Sequence, residues 1–369
     1  MMSQRGCFYS NKIITVQESD KIQDAIEEAE NKVVRILPNQ YIVEVDCKNN
    51  PITVPDNCII QAYGAELIFR FTNPDGYWYH QILKLQDIQT KIFGGKWWID
   101  RANSVNEDAR RLFYVNNSEI IIQDIQADNG SGRETFSVHN SKGTFLNCLF
   151  RPLQNVYTSN NYIRAESGSC IIVDSCEFDG FYHGQTILRM YTAVENNFDG
   201  YIPVIIKNSL FKHLRNGIYL VNWTSGKDSG ILHVSNCEFI DFSSTWTDSG
   251  PICFKTYGVA GDGYCLKELT IENSVFRGGC NQTGQIGVRR YESGNTGIQR
   301  LILRNLAMYA EGEYTTAKYA IDFPEAGSGD SIIKIAEMSN IFCSSGYGSQ
   351  AININNEIPI GKYDVTLES

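Results

Sequence analysis

Prolines are scarce, nine in 369 residues, and no linker-like stretch divides the chain. One elongated domain therefore fits this length as well as two compact ones. Charge is also sparse: charged residues make up 20% against 42% hydrophobic, too little for a disordered chain and enough apolar material for a large core. Lys+Arg is 32 against Asp+Glu 42, a net charge of −10, which argues against the broad cationic surface that nucleic acid demands. No stretch approaches ~18 uninterrupted apolar residues, so no membrane insertion is expected. The start, Met1 to Gly6, lacks the apolar core of a secretion signal. The expected location is cytoplasmic or virion-associated, and extracellular if a leader has been removed. Eleven cysteines are an odd number, spread along the chain without a Cys-x-x-Cys pair. They signal neither a disulfide framework nor zinc, and buried reduced thiols are expected. Phosphate-binding loops, His-Glu-x-x-His and Gly-x-Ser-x-Gly are missing too, and no metal or organic cofactor is expected.

What is present begins with a short amphipathic helix. Ile22, Ala25, Ile26 and Ala29 fall at i, i+3, i+4 and i+7, which predicts a helix near 19–30 with Ser19 or Asp20 as N-cap. Short β-type runs follow, among them Val33 to Leu37, Tyr41 to Val43, Ile52 to Val54 and Cys58 to Ile60. From residue 82 an apolar-x-apolar-x segment recurs, starting at Leu83, Phe113, Phe136, Ile163, Ile187, Ile218, Ile252, Ile286, Ile321 and Ile352. The spacing averages about 30 residues, a period that means stacked supersecondary units.

Each unit carries a second signature, clearest in Asn208-Ser209-Leu210-Phe211, Asn236-Cys237-Glu238-Phe239 and Asn273-Ser274-Val275-Phe276. Weaker copies end at Phe150, Phe178 and Met308. Stacking in register predicts an internal column of Phe and a column of Asn in tight turns, where Asn tolerates the left-handed backbone. Cys148, Cys176 and Cys237 sit beside these columns, and all of these residues are read as structural.

The opening helix, the Leu37-Pro38 to Tyr41 turn, Ile52 to Asn57 and the Asn-x-x-Phe repeats together resemble the pectin-lyase-like superfamily. This group of right-handed parallel β-helices includes polysaccharide lyases, glycoside hydrolases and bacteriophage tailspikes. The resemblance implies an all-β, single-stranded right-handed parallel β-helix of about ten or more coils. Residues 1–50 would form a capping segment with its amphipathic helix, and 51–369 the β-helix with a short C-terminal cap. The Asn-Thr-Asp and Asp-Asp motifs of the polygalacturonase-type hydrolases are absent, although Tyr182-His183-Gly184 is present.

In each apolar-x-apolar-x strand the second and fourth residues point outward, and coils ~4.8 Å apart make aligned outward residues neighbours. The fourth-position column then holds His139 next to Glu166, with Arg164 two residues before it. A histidine oriented by a carboxylate is a candidate general base, and an arginine there can neutralise a substrate carboxylate; a surface ion pair is the alternative. Further on, Lys255 with Tyr257 lies one coil before Arg289 with Tyr291, bordered by Arg290. Two cations and two phenols suit β-elimination of a uronic acid: one stabilises enolate-like charge, another moves the proton. Lys255 and Arg289 resemble the Lys and Arg acting from adjacent coils in alginate-lyase and chondroitinase-type members. The calcium-binding acids that those enzymes place upstream are not matched by Gly250 to Cys253.

The long segments 189–204, 240–251 and 255–268 can rise as walls beside the strand face, and Trp223 and Trp246 can stack on sugars or pin a loop onto the coil. A hydrolase would need two carboxylates about 5–10 Å apart, and Asp179, Asp241, Asp248 and Glu195 are the loop acids available. The expected function is depolymerisation of an acidic polysaccharide by a lyase-like reaction, in a protein of phage-tailspike type that can form a homotrimer. A glycoside hydrolase and a non-catalytic glycan-binding or structural virion protein are the alternatives.

Overall fold

Apolar residues at every second position give the strands one face that must be buried, and repetition every coil lets that face be covered by the strand above and below. In the computed structural model, residues 12–72, 80–100, 110–128, 134–153, 160–166, 168–180, 191–197, 203–222, 230–242, 250–257, 264–278, 284–291, 297–311, 319–323, 333–347, 351–354 and 360–367 are described. Their strands stack as a right-handed parallel β-helix. Eleven strands, from Ile52–Thr53 to Ile352–Ile354, form one all-parallel sheet, and the remaining stacked strands form a second. Short turns join the ladders, and at the later coils the two ladders of the second sheet merge into long strands such as Tyr264–Arg277 and Gly297–Tyr309.

The interior is built of like-on-like columns. Phe150, Phe178, Phe211, Phe239 and Phe276 stack with centroids 4.7–4.9 Å apart, nearly parallel, and Met308 takes the next position in register. A second column runs Ile92, Ile122, Phe145, Val173, Ile206, Val234 and Ile271, all fully buried. Burying each large side chain contributes about 1.5–3 kcal/mol. At the corner between the ladders Asn147, Asn208, Asn236, Asn273, Asn305 and Asn340 all have φ near +50°. Asn236 Nδ2 donates to Asn208 Oδ1 (3.3 Å), Asn305 Nδ2 to Asn273 Oδ1 (2.7 Å) and Asn340 Nδ2 to Asn305 Oδ1 (3.0 Å). Cys148, Cys176 and Cys237 carry free, buried thiols, and burial pushes that of Cys237 up to about 12.

Ile22, Ala25, Ile26 and Ala29 are buried as the helical spacing requires, but the capping is not as expected. Ser19–Lys21 form a 3-10 turn leading into the helix Ile22–Glu27, and no side chain caps either. Ser19 and Asp20 lie inside that turn, so neither has the extended geometry of an N-cap. Glu27 Oε1 instead ties the helix to the first coil, accepting from the Thr53 amide at 3.1 Å. Strands Ile13–Val16 and Val33–Ile36 pair with each other and then with Cys58–Gln61, so the ladders begin within the first 50 residues.

The expected strand at 187–190 is corrected. Its place in the eleven-stranded sheet is taken by Tyr191–Asn197, with Ile163 opposite Val194 and Val194 opposite Ile218. Residues 181–190, which include the expected segment, lie outside the described residues.

Candidate functional site on the eleven-stranded sheet

Strands Arg110–Asn116, Glu134–His139 and Asn160–Glu166 lie side by side, with Tyr114, Ser137 and Arg164 in one register column and Asn116, His139 and Glu166 in the next. Inward Phe113 and Phe136 stack at 4.3 Å, which fixes the phase and turns the polar residues to the outer face. The His139 ring is held at both nitrogens: Nε2 lies 2.8 Å from Ser137 Oγ and Nδ1 3.2 Å from Glu166 Oε2. Its third neighbour is the Tyr114 ring, 5.1 Å away between centroids. Arg164 Nη2 lies 2.6 Å from Glu166 Oε1, and its Nη1 2.9 Å from Glu134 Oε1. Glu134 Oε2 in turn accepts from Arg111 Nε at 3.0 Å. His139, Glu166 and Arg164 are thus brought together as expected, within a longer relay.

The electrostatics follow from burial. Glu134 is only 1% exposed; desolvation works to raise its pKa, but Arg111 and Arg164 outweigh it and hold the carboxyl below its ordinary value. For His139 desolvation dominates and lowers the pKa, reinforced by Arg111 and Arg164 and opposed by Glu166 and Glu134. The imidazole is therefore neutral near pH 7, with Glu166 fixing its orientation, the state a general base needs.

Farther along the same sheet Lys255 and Arg289 are register partners, as are Thr256 and Arg290, and Tyr257 and Tyr291. Their side chains lie outside the described residues. The column passes from Lys255 to Val221 and Asn197 before reaching the Glu166 strand, a separation of ~14 Å along the axis at ~4.8 Å per strand. Both groups therefore sit on one sheet. Trp223, Trp246, Asp248 and His183 lie outside the described residues, and of Glu195 the structure describes the backbone alone.

Two of the loop acids do converge. Asp179 Oδ1 lies 2.9 Å from His213 Nδ1 and Asp241 Oδ2 3.9 Å from His213 Nε2. His213 and Asp241 both have positive φ (54° and 53°), and Lys212 Nζ lies 2.7 Å from Glu177 Oε1. The three side chains are partly exposed, at the corner where the chain turns back toward the eleven-stranded sheet. Among the described residues no group of three His, Cys, Asp or Glu is arranged to hold a metal ion, and no helix is long and apolar enough to cross a membrane.

No family model matches the chain, and no curated protein does. Solved structures do. The catalytic domain of a GH87 alpha-1,3-glucanase in complex with nigerose superposes with a TM-score of 0.54 at 12% identity, covering 100% of this chain and 70% of that one. A variant of that domain in complex with tetrasaccharides gives 0.53 at 12%, with the same coverage. What these structures share with this chain is the fold, a right-handed parallel β-helix. A tailspike protein of bacteriophage CBA120 gives 0.39 at 12%, covering 94% of this chain and 58% of that one.

Within this β-helix, sequence reasoning missed Arg111, Glu134, Tyr114 and Ser137. Arg111 and Glu134 each stand two residues before an inward Phe of adjacent coils, so a signal existed: an opposite-charge pair at the same offset. It was hidden because Leu112 and Phe113, and likewise Thr135 and Phe136, are consecutive buried residues, which breaks strict alternation at the strand start.

Proposed function

We propose that this protein is a carbohydrate-active enzyme that holds an acidic polysaccharide along its eleven-stranded sheet and cleaves it by β-elimination at Lys255, Arg289, Tyr257 and Tyr291. The observation that carries this reading is the register of two adjacent strands, which pairs Lys255 with Arg289 and Tyr257 with Tyr291. In that arrangement Arg289 meets the uronate carboxylate and the enolate-like charge that develops on it, while Lys255 or a tyrosine transfers the proton. His139, Glu166 and Arg164 form a second polar station on the same sheet, where Arg164 and a neutral imidazole can bind the chain on one side of the cleavage point. Trp223 and Trp246 would supply apolar faces to sugar rings. The β-helical glucanase domains bound to nigerose and tetrasaccharides support a polysaccharide as the substrate. The phage-tailspike setting carries a homotrimer, which light scattering reads directly.

One observation favours a second reading: Asp179 and Asp241 flank His213, a carboxylate pair of the kind hydrolysis needs. The experiment that separates them incubates the full chain with a panel of acidic glycans. Elimination gives an ultraviolet-absorbing unsaturated end, and Lys255→Ala or Arg289→Ala lowers that rate about 10²–10⁴-fold. New reducing ends without absorbance, lost in Asp179→Asn and retained in Lys255→Ala, would replace elimination by hydrolysis. Neither product leaves the glycan-binding or structural role.

A further inference from the structure

Away from the eleven-stranded sheet, the corner between the two ladders of the second sheet departs from its Asn pattern at the early coils. The corner at 62–65 is longer than those at 94–95, 124–125 and 147–148, which separate their flanking strands by two residues each. The extra length lets Tyr63 arch over the next two coils. Its ring lies on Gly94, where an added Cβ would come within 2.5 Å of the ring, and its hydroxyl donates to Asp124 Oδ2 at 3.1 Å. Gly94 has φ +70°, so this seat needs glycine both for its backbone and for the space above it. The ring is fixed at both ends yet 52% exposed. It forms a rigid aromatic platform, and among the described residues it is the one exposed large aromatic side chain.

Beside this platform runs a groove of about 460 Å³, within the range of small-molecule sites. Gln40, Glu66, Lys96 and Gln126 enter it from successive strands as register partners, one planar or charged group every ~4.8 Å. Asp124, which anchors Tyr63, and Asn147 complete it from the corner. Glu66 is fixed by Gln40 Nε2 at 3.0 Å and Trp98 Nε1 at 3.2 Å.

We propose that this groove and Tyr63 form a binding site for a neutral oligosaccharide, separate from the sheet on which cleavage is placed. A flat exposed ring matches the apolar face of a sugar, and amide and carboxylate groups match its hydroxyls. With Glu66 and Asp124 against Lys96, the lining carries no excess of positive charge, so a uronate polymer is disfavoured here. The site would anchor a chain whose acidic portion is processed elsewhere, or a neutral glycan on the same surface.

Isothermal titration calorimetry on the full chain tests this with cellotetraose, maltotetraose and nigerotetraose as neutral probes and trigalacturonate as the acidic one. At least one neutral probe is expected to bind, with affinity reduced about tenfold or more in Tyr63→Ala and unchanged in Lys255→Ala. If Tyr63→Ala fails to fold, Gln40→Ala and Lys96→Ala at exposed positions read the same groove and are expected to weaken the same probe. Binding of none of the neutral probes, affinity untouched by these substitutions, or Tyr63-dependent binding of trigalacturonate in preference to them overturns the proposal. Glycan cleavage measured in Tyr63→Ala on short acidic substrates is expected to be unchanged, so failure of this site and failure of the elimination reading give different results.

Discussion

Glu134 offers a quantitative test of the relay on the outer face. Its carboxylate is almost wholly buried and shared by two guanidinium groups, Arg111 Nε at 3.0 Å and Arg164 Nη1 at 2.9 Å. Replacing it by Gln keeps the shape and removes the charge, leaving the buried Arg111 and the partly buried Arg164 without the counter-ion they share. Removing one partner of a buried pair typically costs 3–5 kcal/mol, because the remaining charge is uncompensated. Arg164 retains Glu166 at 2.6 Å, so the lower end, about 3 kcal/mol, is the expected loss at pH 7. Urea unfolding followed by circular dichroism would report it as a fall in midpoint at constant slope.

The pH dependence gives the same experiment a second readout. The folded pKa of Glu134 is depressed, so the folded protein binds this proton less readily than the unfolded chain. The stabilisation is fully present above the unfolded value near ~4.3 and is lost as pH falls through the folded pKa. Wild type and Glu134→Gln should therefore begin to converge in stability as pH falls below ~4.3 and should meet only below the folded pKa. A difference under about 1 kcal/mol at pH 7, or one that does not shrink on acidification, would refute the account of this carboxylate as the charge that holds the relay together.

Other outcomes follow from the same geometry. His139 has a pKa lowered chiefly by burial, so its NMR titration should fall below ~6.5. Its contribution to folding should weaken as pH drops from ~6.5 toward that midpoint, since the unfolded chain then takes up the proton first; a midpoint above 7 would contradict this. Phe211→Ala, which removes the middle ring of a five-membered stack, is expected to cost about 3–5 kcal/mol, read by the same unfolding experiment, and a loss under 1 kcal/mol would show that the column does not act as core.

Much of the architecture was legible because the coil repeats chemistry as well as spacing. The Asn-x-x-Phe units fixed both the inward phase and the left-handed corner, and nine of the ten strand segments fall where the columns required. The tenth failed at Ile187 because an apolar-looking run lay next to a strand whose register position between Ala165 and Leu220 is occupied by Asn196. The site was legible only where alternation held. His139, Glu166 and Arg164 obey it, whereas Arg111 and Glu134 lie at strand starts where two consecutive residues turn inward. The meeting of Asp179, His213 and Asp241 depends on positive-φ turns at His213 and Asp241, which these residue types tolerate but do not by themselves specify.

The stacked columns of phenylalanine and asparagine have one more consequence. Since the strand ladders pair each rung with the rungs above and below it, the molecule approximates a short one-dimensional lattice, with cohesion set mainly by nearest-neighbour terms. A defect in the middle would then divide the rod into two halves able to melt at different temperatures, while the same defect at an end would merely shorten it.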